Sequence, residues 1–157
     1  MPYSNVKSKD ATEARAATCA RRDLPPETQP AIPGTSSARR RLALIVDGDP
    51  VSVRLCQETL ERMDFVVQRV DSGVAAVVAA RGQAPDLILM DFQLRDVTAG
   101  ETIGWLRSNQ ALTSVPIIVL GIADGSRLPV NDPRAMIAIG KPFSPAAIER
   151  AVRHLCG

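Results

Sequence analysis

Three charged side chains stand directly behind apolar runs in this chain: Asp47 after LALIV, Asp91 after LILM, and Lys141 two residues after AMIAI, with Asp49 close behind the first. A carboxylate in such a place can serve as a nucleophile, a base or a hard oxygen ligand, and an ammonium group can pair with an anion. Taken singly, each has a plain explanation. An Asp at the end of an apolar run is usually a loop carboxylate, and a lone Lys is usually a solvated surface charge. They mean more if one rim of one sheet brings them together. Other chemistries have little material here. A single histidine, His154, argues against a zinc site or a histidine-centred triad. Cys19, Cys56 and Cys156 are odd in number, far apart and outside any metal-ligand spacing, which suits reduced thiols.

The elements that must position these groups follow from the apolar pattern. Short runs at 42–46, 65–70, 87–90, 116–120 and 135–139 alternate with longer segments of helical period, the signature of βα units around a parallel sheet. LALIV, LILM and IIVL show no polar alternation, so they are expected as central strands covered on both faces. Residues 50–63 put Val53, Cys56, Leu60 and Met63 on one stripe, with Asp49 as N-cap and Pro50 at the first helical position. Further helices are expected at 73–81, 99–109 and 145–155, the last capped by Ser144 and turning Ile148, Val152 and Leu155 inward. His154 then falls in the last turn, where it suits the helix dipole. Trp105 faces outward if Ile103 and Leu106 face the core, which leaves it as a partner contact or a half-buried packing residue. Between the fourth and fifth strands the period fails. The segment IADGSRLPVNDPR holds Gly125, Pro129 and Pro133, and an interior proline costs a helix about 3 kcal/mol, so any helix there is short or missing. In an open parallel sheet, chemistry gathers outside the carboxyl ends of the strands, near the point where the strand order reverses. Asp47, Asp91 and Lys141 follow the first, third and fifth strands, so one crevice can hold all three.

Composition says where the core lies. The 157 residues suit one core. Residues 1–41 carry eight basic and four acidic residues with scattered apolar ones, while Leu42 onward holds 11 basic and 13 acidic, so the net +2 belongs to the N-terminal stretch. Residues 1–40 are expected as a disordered basic tail rich in Ala, Arg and Pro, and 41–157 as the folded domain. Arg39 to Arg41 is a short run without an interleaved aromatic, so no direct nucleic-acid contact is expected. The absence of a long apolar window or a signal-peptide core leads to the expectation of a soluble, cytoplasmic protein without membrane contact.

LALIVDGDP, PDLILMDFQL, VPIIVLG and IGKPFSP, in this order and spacing, resemble the receiver domains of two-component response regulators across residues 41–156. The resemblance implies an α/β, flavodoxin-like, doubly wound five-stranded parallel sheet of order 2-1-3-4-5. It also implies that Asp91 accepts a phosphoryl group from a phosphohistidine of a histidine kinase or phosphotransfer protein. A Mg²⁺ would offset the repulsion between carboxylate and phosphoryl group, held by Asp47, Asp91 and the main-chain carbonyl of Gln93. Lys141 matches the lysine that pairs with the phosphoryl oxygens, before a proline bond, to Pro142, that is usually cis in the family.

The departures matter equally. Gly48 stands where the family usually has a second acid, which implies weakened Mg²⁺ binding; Asp49 is a substitute ligand, against its simpler role as N-cap. Gly121 stands where a Thr or Ser hydroxyl would meet the phosphoryl group, leaving only its backbone near that group. Ala138 stands where an aromatic side chain would swing inward. The expectation is an atypical stand-alone receiver, not an enzyme, that signals by binding an unidentified downstream protein, with nothing after Gly157 to form an output domain and dimerisation left open. Two alternatives remain. One is a pseudo-receiver that binds partners without phosphoryl chemistry. The other, remote, is a haloacid-dehalogenase-type phosphohydrolase, whose opening D-x-D fits LIVDGDP. Such an enzyme would need a hydroxyl residue where Gly121 stands and an acidic pair after Lys141, and neither is present.

Overall fold

A computed structural model describes residues 39–122 and 136–157. The elements run in the order β1 (Arg41–Val46), α1 (Pro50–Arg62), β2 (Phe65–Val70), α2 (Gly73–Gly82), β3 (Leu87–Asp91), α3 (Ala99–Ser108), a 3₁₀ turn (Gln110–Leu112), β4 (Ile117–Leu120), β5 (Met136–Ile139) and α4 (Pro145–Cys156). The expected strands and helices are all present, with ends shifted by a residue or so, the ordinary uncertainty of element ends. The expectation of a short or missing helix between β4 and β5 lies outside the described residues, as does that of a disordered tail.

The five strands are all parallel, in the order β2-β1-β3-β4-β5. The unbroken apolar runs have a direct cause. Every residue of β3 and β4 is buried, because side chains alternate between two covered faces. Leu44, Val46, Ile88, Met90, Ile117 and Val119 pack on one face against Ala76, Val77 and Ala80 of α2 and Ile103 and Leu106 of α3. Ala43, Ile45, Leu87, Leu89, Ile118 and Leu120 pack on the other, against Val53, Cys56 and Leu60 of α1 and Ile148 and Val152 of α4. Trp105 points away from Ile103 and Leu106 and is 42% exposed.

Local chemistry starts each helix. Asp49 caps α1, accepting from the amides of Val51 and Ser52 and from the Ser52 hydroxyl, with Pro50 at the first turn. Thr98 and Glu101 form a reciprocal capping box on α3, and Ser144 caps α4. At α2, Ser72 accepts from Ala75 N, and the two amides before it are taken by a distant residue: Asp96 accepts from Gly73 N at 2.9 Å and Val74 N at 3.0 Å. A side chain on Gly73 would collide with Thr102 and Val97, so this residue lets α2 and the loop after β3 close on each other.

Candidate functional site

After β1 the chain turns to β2 on one side, and β3 then forms on the other, so the strand order reverses between β1 and β3. The carboxyl ends of those strands open the crevice where such folds place ligands. Register fixes the rim. Val46 pairs with Met90, Asp91 pairs with Leu120, and Leu120 pairs with Ile139, so Asp47, Asp91 and Gly121 stand side by side at the strand ends, with Lys141 shortly after β5.

The three groups singled out in the sequence do meet. Lys141 Nζ lies 3.2 Å from Asp91 Oδ1 and 3.9 Å from Asp47 Oδ2. The bond from Lys141 to Pro142 is cis. Asp47 is the most enclosed of the three, its side chain 1% exposed. Its Oδ1 accepts from Asp49 N at 2.8 Å, while its buried Oδ2 has no hydrogen-bond partner among the described residues. Burial pushes the Asp47 carboxyl above the ordinary Asp range, and the negative charge of Asp91 adds to the rise; the Asp49 amide and the Lys141 ammonium pull the other way. One ammonium, that of Lys141, serves both Asp47 and Asp91, so the cluster keeps a net negative charge, and a hard divalent cation is the natural complement of such carboxylate oxygens. Among the described residues, however, no three His, Cys, Asp or Glu side chains are grouped to hold a metal.

A cleft of about 260 Å³ opens over these groups, lined among others by Asp47, Asp49, Asp71, Asp91, Gln93 and Arg95. Gln93 therefore lines the cleft together with the carboxylates. Asp49 reaches the cleft too, but the oxygens of its side chain accept from Val51 N, Ser52 N and Ser52 Oγ, and those bonds hold its carboxyl below the usual range. Gly121 has a φ of +81°, and a Cβ there would stand 3.0 Å from Asp91 Oδ1 and 3.4 Å from Lys141 Cδ. Its amide donates to Ile139 O at 2.8 Å, so what it brings to Asp91 is close, bare backbone. Ala138 is exposed on β5.

Residues 43–153 match the response regulator receiver domain family. The chain belongs to that family. Among relatives of this receiver, the polar-differentiation response regulator DivK of Brucella ovis is 34% identical over 77 residues, which make up 49% of this chain and 63% of DivK. DivK of Brucella anthropi is 32% identical over the same shares. The receiver thus aligns with less than two thirds of the length of these relatives. Among solved structures, the receiver domain of the sensor histidine kinase PA1611 of Pseudomonas aeruginosa, with a magnesium ion coordinated in its active-site cleft, superposes with a TM-score of 0.66 at 25% identity, covering 74% of this chain and 97% of that one. The chemotaxis response regulator CheY4 of Vibrio cholerae gives 0.65 at 19% identity over 74% and 98%, a likeness of fold.

Sequence reasoning missed two groups of this receiver's cleft. Arg95 and Asp71 lie in loops, and no periodicity marks which way a loop side chain turns. The same holds for Asp96. Its partners lie 22 and 23 residues back in the chain, and only the assembled fold joins them.

Proposed function

We propose that this receiver takes a phosphoryl group onto Asp91 from the phosphohistidine of a histidine kinase or phosphotransfer protein, and signals by binding a downstream protein. The observation that carries the reading is the 3.2 Å pairing of Lys141 Nζ with Asp91 Oδ1 beside the enclosed Asp47. In the transfer an Asp91 oxygen attacks phosphorus, an O–P bond forms as the N–P bond breaks, and the donor imidazole departs. Lys141 stands where it can follow the charge from the carboxylate to the incoming oxygens. Asp47, Asp91 and the Gln93 carbonyl are the groups that would hold Mg²⁺, which when bound supplies the positive charge that lets two anions approach. Asp47 Oδ2, which takes no hydrogen bond, fits that role. Gly48 removes one carboxylate donor, so the affinity is weaker than in a receiver with two acids there.

The donor must bring its histidine to the rim, which calls for a docking surface beside Lys141. An apolar hollow of about 450 Å³ lies there, lined by Val51, Leu55, Pro142 and Phe143, with Val51 74% exposed. We take 41–157 as the receiver unit, preceded by a tail at 1–40, and place the protein in the cytoplasm; no helix among the described residues is long and apolar enough to cross a membrane. Limited proteolysis that leaves a stable core starting near residue 41 checks the boundary.

Incubation with acetyl phosphate and Mg²⁺ should add one phosphoryl mass to the wild type and none to Asp91→Asn. No gain under conditions that label an ordinary receiver removes the reading. A second reading, a binding module without phosphoryl chemistry, draws on Gly121, whose positive φ and engaged amide leave no hydroxyl and no free N–H at the end of β4. Mg²⁺-dependent binding of beryllofluoride, a phosphoryl mimic, would count against it.

A further inference from the structure

Two residues that line the cleft come close to each other, Gly48 in the loop after β1 and Arg95 in the loop after β3. A Cβ on residue 48 would stand 3.6 Å from Arg95 Nε, 3.8 Å from Cζ and 3.9 Å from Nη2. The guanidinium thus lies against the spot from which a second carboxylate would project. Beside Lys141, which pairs with Asp91 at 3.2 Å, it is the basic side chain among the described residues that line this cleft, in company with Asp47, Asp49, Asp71 and Asp91. The loop that carries it is anchored: the next residue, Asp96, is bonded to the first two amides of α2. In the same cleft lies the buried Oδ2 of Asp47, which takes no hydrogen bond and has the Lys141 ammonium at 3.9 Å.

We propose that Arg95 is a phosphoryl-binding residue of this cleft, a resident cation standing in for part of the charge that a divalent ion would otherwise bring to Asp91. The inference rests on the reading of Asp91 as phosphoacceptor and adds to it a residue and a mode of charge compensation. A guanidinium presents a planar fork of donors that matches phosphoryl oxygens. With no side chain at 48, the guanidinium meets no carboxylate there, and a Cβ at that position would only touch it at ordinary contact distance. The same positive charge repels Mg²⁺, so Arg95 acts in two opposed ways. It hinders the metal and helps the phosphoryl group.

That opposition gives the test. Full-length wild type, Arg95→Ala and Arg95→Lys are titrated with Mg²⁺ by calorimetry, and separately labelled with phosphoramidate across a Mg²⁺ series with uptake read by intact mass. Arg95→Ala should bind Mg²⁺ about fivefold more tightly once the like charge is gone. It should nevertheless take up label roughly tenfold more slowly at low Mg²⁺, the gap narrowing as the metal saturates. Arg95→Lys should keep the wild-type Mg²⁺ affinity but recover only part of the labelling rate, since a point charge replaces the fork. Gly48→Asp should tighten Mg²⁺ binding more in the Arg95→Ala background than alone, because the introduced carboxylate pairs with the arginine when it is there. Unchanged affinity and unchanged labelling in Arg95→Ala overturn the assignment. So does a loss of both, which marks a loop that has merely lost its shape. A wild type that takes no label at any Mg²⁺ concentration overturns the Asp91 reading instead, and the calorimetric arm still decides whether Arg95 shares the place of the cation.

Discussion

The two halves of the cleft rim are built differently. On the side of β1 and β3, the loops bring acidic side chains, a glutamine and an arginine over a cleft whose floor is the enclosed Asp47, and helix α2 holds one of those loops through Asp96. On the side of β4 and β5, the described residues bring less: Gly121 presents backbone to Asp91, Ala138 is a small exposed residue, and among the described residues of these two strand ends Lys141 is the one that reaches into the site. Among the described residues, charge gathers on the side where a phosphoryl group would be received, while positions 121 and 138 carry neither a hydroxyl nor an aromatic ring. The contrast teaches that accepting a group and reporting it would be separable demands on one sheet edge.

The sharpest way to break the comparison is to remove the chemistry. Asp91→Asn should abolish labelling altogether, and Lys141→Ala should slow it on the order of a hundredfold, the scale of losing one preorganised charge beside a transferring group. Labelling by acetyl phosphate, followed by mass, checks both. If Lys141→Ala labels at the wild-type rate, Lys141 contributes nothing and the contrast is sharper than drawn.

The next test asks whether the side of β4 and β5 can be refurnished. The missing hydroxyl at 121 reads from the sequence as a deleted functional group. The structure adds a backbone reason: φ is +81°, a region that L side chains rarely adopt, and a Cβ would press on Asp91 Oδ1. Gly121→Thr is therefore expected to destabilise the fold by about 1–3 kcal/mol and to lower labelling rather than enhance it. Urea unfolding with and without phosphorylation measures it. Threonine at wild-type stability would mean that the β4 loop relaxes freely and that only the side chain was lost.

How much of this was legible beforehand follows a physical line. The strands are readable because both faces of the sheet are covered, which turns β1, β3 and β4 into unbroken apolar runs, and the first and last helices because Asp49 and Ser144 announce their starts. Asp47, Asp91 and Lys141 could be brought together because each stands a fixed step beyond such a run. Arg95 against Gly48, Asp96 on α2 and the φ of Gly121 could not, since they depend on loop geometry for which a single chain carries no period.

A smaller effect comes from the floor of the cleft. The Asp47 carboxyl titrates above its ordinary value because folding buries it near Asp91, so its ionised form opposes folding. For a carboxyl raised on folding, the penalty is complete above the folded pKa and vanishes below the unfolded value, about 3.9. Asp47→Asn should accordingly be more stable than the wild type at neutral pH in chelator, with the gain fading as the pH falls towards 4. Added Mg²⁺ should narrow the difference from the other side, since it stabilises only the chain that binds it. Thermal melts at several pH values, with and without Mg²⁺, check the sign. A variant less stable than wild type in chelator would show that the hydrogen bond from the Asp49 amide outweighs the burial.

The smallest expected effect concerns how the furnished side is held. Hydrogen bonds from Val74 N and Gly73 N keep the Asp96 carboxyl below its ordinary range. The sign is opposite to that of Asp47. A carboxyl lowered on folding stabilises the fold above the unfolded value of about 3.9, and the contribution is lost as the pH falls through the lower folded value. Asp96→Ala should free the two amides, speed hydrogen exchange at Gly73 and Val74, and loosen the loop that carries Gln93 and Arg95. Its stability deficit should be present at pH 7 and shrink in acid below pH 4, towards the wild type. The group lies in full contact with solvent, so high salt should weaken the effect further. If exchange at those amides is unaltered and Mg²⁺ affinity stays at the wild-type value, the anchor does not hold the arginine. The furnished side would then be kept in place by the packing of Gly73 against Val97 and Thr102 alone.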